Sequence, residues 1–163
     1  MSTFRTFLAI VERDLRVLSR NLVDFFLRIG VQPVLFAFVF GYVLPSIGTI
    51  SKGYANLVLP GIVAASTMMA GVQGTAMPLA WDFGATKEIH DRLMAPISIR
   101  LVMLEKIIMG MFEAWLAAAF VFPVAFLIMR ENLHLQVTNL PFLLLFIVLG
   151  GLMSATLGMV LGT

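Results

Sequence analysis

Long runs without charge alternate with short charged segments along the chain. Residues 29–51 and 53–81 hold no Asp, Glu, Lys or Arg, residues 107–129 hold only Glu113, and residues 132–163 hold none. At about 1.5 Å per helical residue, the first of these runs reaches roughly 35 Å, enough for a hydrocarbon core of about 30 Å. The pattern predicts four transmembrane helices at 29–47, 57–79, 107–129 and 140–161. Ahead of them the periodicity changes. Phe4, Phe7, Leu8, Val11, Leu15, Leu18, Leu22 and Phe25 recur at three- and four-residue steps, and Arg5, Glu12, Arg13, Arg16 and Arg20 fall mainly on the other side. This predicts a helix over 4–26 lying in the plane of the membrane interface, with Arg13, Arg16 and Arg20 toward the headgroups. A soluble helix packed on a partner protein satisfies the same pattern.

Between the second and third runs lies a loop, 82–106, with structure of its own. Gly84 permits a turn, Thr86 suits an N-cap, Glu88 suits the positive dipole end, and Pro96 disfavours helix at Ala95. Ile89 and Leu93 then share a face of a short helix of about two turns. A second short amphipathic stretch, Ile99–Lys106, leads toward the third span.

Composition agrees with this picture. Of 163 residues, 60% are hydrophobic and only 12% charged, against about 25% charged in an ordinary globular chain. The mean hydropathy is +1.00. The fold class expected is therefore all-α, a polytopic membrane protein. There is no cysteine, which excludes disulfides, thiolate metal sites and cysteine nucleophiles. The net charge is +2, but placement matters more than the sum. Arg5, Arg13, Arg16, Arg20 and Arg28 precede the first span, and Lys87, Arg92, Arg100 and Lys106 lie between the second and third. The other connections hold only Lys52 and Arg130. That asymmetry predicts a cytoplasmic N-terminus and a cytoplasmic middle loop. No basic stripe interleaved with aromatics argues for nucleic acid.

Candidate chemistry is sparse. No G-x-x-x-x-G-K-[ST] or G-x-S-x-G is present, and His90 and His134 fall on opposite predicted sides, so no metal site is expected. Glu113 is the one acid well inside a predicted span, about 9 Å from its cytoplasmic edge. Intramembrane acids point to function. Its i,i+7 spacing from Lys106 allows structural pairing instead, and both readings stay open. Phe36 and Phe40 share a face of the first span that suits an amphiphilic substrate, or simply lipid and neighbouring helices.

The order of parts resembles the membrane-spanning subunits of ABC-2 type exporters, the permeases of drug, polysaccharide and lipo-oligosaccharide export. The likeness rests on Tyr54-Ala55-Asn56-Leu57-Val58-Leu59-Pro60-Gly61 at the second span. It rests more strongly on Gly84-Ala85-Thr86-Lys87-Glu88-Ile89-His90-Asp91-Arg92-Leu93-Met94-Ala95-Pro96-Ile97-Ser98, with Glu105-Lys106 beyond. The resemblance implies a permease that does no ATP chemistry itself and is not an enzyme. ATP and Mg would sit on a separate ATPase subunit that receives the short helix of 84–96. Ile89 and Leu93 would be the buried contacts, with Thr86, Lys87, Glu88, Asp91, Arg92 and Pro96 completing the coupling element. Membrane lipid and a second permease, as homodimer or heterodimer, are the other implied partners. The implied location is a bacterial-type cytoplasmic (inner) membrane, and the implied cargo amphiphilic or lipid-linked. Such permeases usually continue for two more spans, so the chain is expected to be a partial domain lacking them. The competing expectations are a membrane scaffold or assembly subunit, and an intramembrane lipid-modifying enzyme centred on Glu113 or His90.

Overall fold

The computed structural model describes residues 3–48, 54–84, 99–129 and 140–162, which are helical apart from single-residue joints and turns. Four of the helices are long and apolar enough to cross a membrane, over Leu22–Ser46, Asn56–Trp81, Arg100–Ile128 and Pro141–Gly162. The described residues are thus all-helical, with the four apolar helices of a multi-pass membrane protein. The loop helix expected at 84–96, with Thr86, Lys87, Glu88, Ile89, Asp91, Arg92, Leu93 and Pro96, lies outside the described residues.

Helix α1, Thr3–Arg20, is strongly amphipathic, and Arg20 in its last turn suits the negative dipole end. It stops short of the expected 4–26. The backbone N–H of Asn21 is shared between the carbonyls of Val17 and Leu18, at 3.2 and 3.1 Å, and the chain bends there. Residues 22–26 belong instead to α2, Leu22–Phe38, the start of the first crossing segment. Packing explains the break. Phe25 is buried, and the Phe26 ring lies against Phe120, with centroids 4.5 Å apart. A straight continuation of α1 along the interface would pull both rings off the bundle.

α2 buries Phe25, Gly30, Pro33 and Ala37 along one side. At Gly30 a Cβ would sit 2.9 Å from the Phe120 ring, so its absence sets how closely α2 approaches its neighbour. Past Phe38 the helix widens into a π segment, Val39–Val43, followed by a short helix α3, Leu44–Ser46. The Leu44 N–H reaches back five residues to the Val39 carbonyl, and Pro45 has no N–H to offer. The shifted ladder therefore falls just ahead of the proline, as π-bulges often absorb such interruptions. Gly48, at φ +73°, ends the segment in the left-handed conformation that glycine adopts freely.

Helices α4, Ala55–Gly84, and α5, Ile99–Met129, run longer than the expected spans, and α6 covers Leu140–Gly162. The stretch Ile99–Lys106 is continuous with the third crossing helix rather than a separate element. α4 is central and packs most extensively on α5 and α6, while α2 lies against α5 and α4. Small residues make these contacts possible. A Cβ at Gly158 would sit 2.6 Å from the Val72 carbonyl oxygen, and one at Gly110 would sit 3.0 Å from the Gly71 oxygen. Backbones meet backbones here, the usual way membrane helices gain packing where lipid offers no hydrophobic drive. The buried hydroxyls in this layer are satisfied within their own helices. Ser66 donates to the Ile62 carbonyl (2.6 Å), Thr75 to Gly71 (3.1 Å) and Ser154 to Gly151 (2.9 Å). Toward the end away from α1, Ala37, Leu59, Ile62, Val121 and Ala125 form an apolar core.

Candidate functional site

Charge gathers where α1 meets α5. The Lys106 ammonium lies 3.1 Å from Asp14 Oδ2 and 3.7 Å from Glu105 Oε2, and Arg13 Nε donates to Asp14 Oδ1 at 2.9 Å. The Glu105 and Lys106 side chains are 1% and 6% exposed and that of Asp14 15%, so this is a sheltered cluster rather than a surface pair. Burial pushes the Asp14 carboxyl up. A hydrogen bond with Glu105, the Lys106 ammonium and the Arg13 guanidinium outweigh it and hold Asp14 below the usual carboxylate range. The tie joins residues 92 positions apart and fixes α1 to the first turns of α5.

The sequence offers one signal for it in hindsight: Asp14 is an acid three residues after Val11 and four before Leu18, on the otherwise apolar stripe. Of the arginines expected on the polar face, Arg13 belongs to the cluster. Arg16 donates to Glu12 at 2.7 Å on the exposed side, and Arg20 is exposed at the helix end.

Beside the cluster, α1, α2, α4 and α5 line an open cavity of about 710 Å³. Its walls carry Arg13, Asp14, Asp24, Arg28, Lys106 and Glu113 among apolar groups such as Phe25, Pro78 and Met109. Glu113 is half-buried, with its carboxylate laid against α4 at Gly74, where a Cβ would come within 2.5 Å of Oε2. That oxygen is buried and has no hydrogen-bond donor. The pairing with Lys106 suggested by their spacing is not formed. Seven helical residues separate the two by about 10 Å along the axis, and Lys106 turns to Asp14 and Glu105 instead. Arg28, exposed on α2, faces the same cavity with no ion-pair partner within 4 Å among the described residues. Neither Arg28 nor Gly74 stood out in the sequence as a site residue, because only the packing of α2 and α4 on α5 brings them to Glu113.

Arg28 also borders a second, narrow slot of about 50 Å³ between α2 and α4, lined by Gln32, Pro33, Phe36, Ile62, Met69 and Gln73 among others. Phe36 meets Phe40 edge-on, with centroids 6.1 Å apart, so the pair expected on one face of the first span is formed. On the opposite side of α5 the Trp115 indole Nε1 is buried without an acceptor, close against Gly151 of α6.

No family model, no curated protein and no solved structure matches this chain.

Proposed function

We propose that the chain is the membrane-spanning permease subunit of an ATP-driven exporter of the ABC-2 type, carrying an amphiphilic or lipid-linked substrate. The observation that carries this reading is the buried tie of Asp14 to Lys106 and Glu105. A device that converts movement of a cytoplasmic partner into movement of spans needs rigid attachment at the receiving end. The loop 85–98 joins the end of α4 to the start of α5, and α1 is clamped to that start. A push on the loop therefore reaches α4, α5 and α1 together.

In this reading the α1 end faces the cytoplasm and the ATPase seats on the helix of 84–96, with Ile89 and Leu93 inserted. ATP and Mg belong to that partner. The chain works as a dimer with a second permease in a bacterial-type inner membrane. Distribution of Arg and Lys, and the resemblance of residues 84–98, support the orientation and the docking site.

The test is affinity purification of the chain from its native membrane in mild detergent, with bound proteins identified by mass spectrometry. A subunit carrying G-x-x-x-x-G-K-[ST] should co-purify with the native chain and be lost in Leu93→Arg. Its absence from the native preparation, or undiminished recovery with Leu93→Arg, counts against the proposal. Partner recovery without any nucleotide-binding subunit would favour a scaffold.

A further inference from the structure

The charges at the α1 end divide into two sets. Arg13, Asp14, Glu105 and Lys106 are engaged with one another where α1 meets α5. Glu113 stands outside that set, with no hydrogen bond or ion pair among the described residues. Its Oε2 is buried against the α4 backbone at Gly74, where even a Cβ would come within 2.5 Å of it. Only that oxygen is sealed, and the side chain also lines the open cavity. A negative oxygen shut off from water and from every donor is a costly arrangement. A neutral carboxyl removes most of that cost. Its sealed oxygen can rest on the Cα–H of Gly74, a weak contact, and its other oxygen is left to the solvent of the cavity.

The ionised carboxylate has a better partner across that space. The charged groups on the cavity wall are Arg13 and Asp14 from α1, Asp24 and Arg28 from α2 and Lys106 from α5, with Glu105 beside Lys106. α4 contributes Gly74 and Pro78 to the wall, and α6 has no charged residue. Lys106 is held by Asp14 and Glu105, whereas Arg28 has no ion pair among the described residues. The Coulombic pull of Arg28 on the Glu113 carboxyl also exceeds that of Lys106.

We propose that Glu113 is a proton-binding switch of the bundle. Holding a proton, it seats in the notch at Gly74; releasing the proton to the solvent of the cavity, it crosses to Arg28 and draws α2 toward α5. The motion has a fulcrum, because Gly30 and Phe26 of α2 both meet the Phe120 ring of α5. Glu113 lies between Phe120 and the α1 junction at Lys106, so the ion pair closes on the α1 side of that contact. Beyond it, Ala37 of α2 is fixed in the apolar core with Val121 and Ala125. The α1 end of α2 therefore swings inward while its far half stays in place. This switch needs no ATPase, and failure of the exporter reading leaves it standing.

Two readouts on the purified full chain in dodecylmaltoside micelles test it from about pH 5 to about pH 9, where exposed carboxylates are already largely ionised. The infrared spectrum should contain a carboxylic acid C=O stretch that fades as pH rises and is missing throughout in Glu113→Gln. The distance between spin labels at Val23→Cys and Leu104→Cys, both exposed positions, should shorten by about 1–2 Å with the same midpoint. Labels at Leu35→Cys and Leu127→Cys, beyond the fulcrum, should keep their separation. Adding Glu113→Gln should hold the first distance at its low-pH value, since an amide is neutral at every pH. With Arg28→Gln the acid band should still fade while the distance stays constant. An acid band that persists unchanged in Glu113→Gln, or shortening that persists in Arg28→Gln, overturns the proposal. So does a Val23–Leu104 distance that is constant across the series in the otherwise native chain, whether or not the two variants fold.

Discussion

Along the seam of α4, α5 and α6 the helices meet mainly through small uncharged groups, with Glu113 against Gly74 as the exception, whereas α1 meets α5 through sheltered charges. In the seam, a Cβ at Gly158 would already be 2.6 Å from the Val72 carbonyl oxygen, so affinity comes from close approach over a continuous surface. At the α1 end, a few groups hold one helix in place: Asp14, Glu105, Lys106 and Arg13. Apart from Glu113, the seam has many small terms and no switch. The charged end has few, each large, and every one depends on the protonation or presence of a partner. A membrane protein that must move needs both kinds, a body that stays packed and a junction whose strength is set by specific groups.

This contrast can be broken most severely in the seam. Gly158→Leu forces a branched side chain into the Val72 backbone, which no rotamer relieves, and should destabilise the bundle by about 3 kcal/mol. Thermal unfolding in micelles, followed by circular dichroism, would show the lowered midpoint; an unchanged midpoint would mean α6 is not seated on α4 as described. Lys106→Met comes next. It leaves Glu105 without the Lys106 ammonium and Asp14 with Arg13 alone, and should cost about 2 kcal/mol, below the range for a fully buried pair because Asp14 keeps some exposure and one cation. Adding Asp14→Leu should recover part of that loss, since it removes one of the two carboxyl groups that Lys106 had held together. A double variant worse than the single one would contradict the ionic account of this junction.

A pH series sharpens the same point. Asp14 is held below its ordinary value, so its contribution is fully present above the unfolded carboxylate value near 3.9. It is lost as pH falls through the lower folded value. The chain has no cysteine, so spin labels at introduced cysteines report on chosen pairs alone. The distance between labels at Val17 and Leu104 should stay constant from neutral pH down to about 4 and broaden only below it. Broadening near neutral pH would place the controlling group elsewhere. The smallest effect belongs to the exposed Arg16–Glu12 pair, where Arg16→Ala should change stability by about 0.3 kcal/mol. A loss comparable to that of Lys106→Met would show that α1 is held by its outer face.

The crossing helices were legible in the sequence because membrane solvation imposes a length and excludes charge, and both are local properties. The existence and polarity of α1 were legible for a similar reason. Its end was not. Leu22 and Phe25 continue the spacing of Leu15 and Leu18, so periodicity alone carries the helix through Asn21; the decision to bend is made by Phe26 against Phe120, a contact across the fold. The candidate site divides the same way. Glu113 could be singled out as an acid in an apolar run, but its neighbours Gly74 and Arg28 come from two other helices. Spacing along one helix allows Lys106 to pair with Glu113 without deciding it, while its partner Asp14 lies 92 residues away. The π segment at Val39–Val43 left no comparable signal ahead of Pro45.

The central claim is that the charged end of the bundle faces the compartment that holds ATP. Single cysteines at Arg16, at Arg92 in the loop and at Gly48 on the far end, treated with a membrane-impermeant maleimide, test it directly. Arg16→Cys and Arg92→Cys should label only in inverted membrane vesicles, and Gly48→Cys only in right-side-out ones. Labelling of Arg92→Cys from the outer face would put the loop beyond the reach of any ATPase and contradict the account.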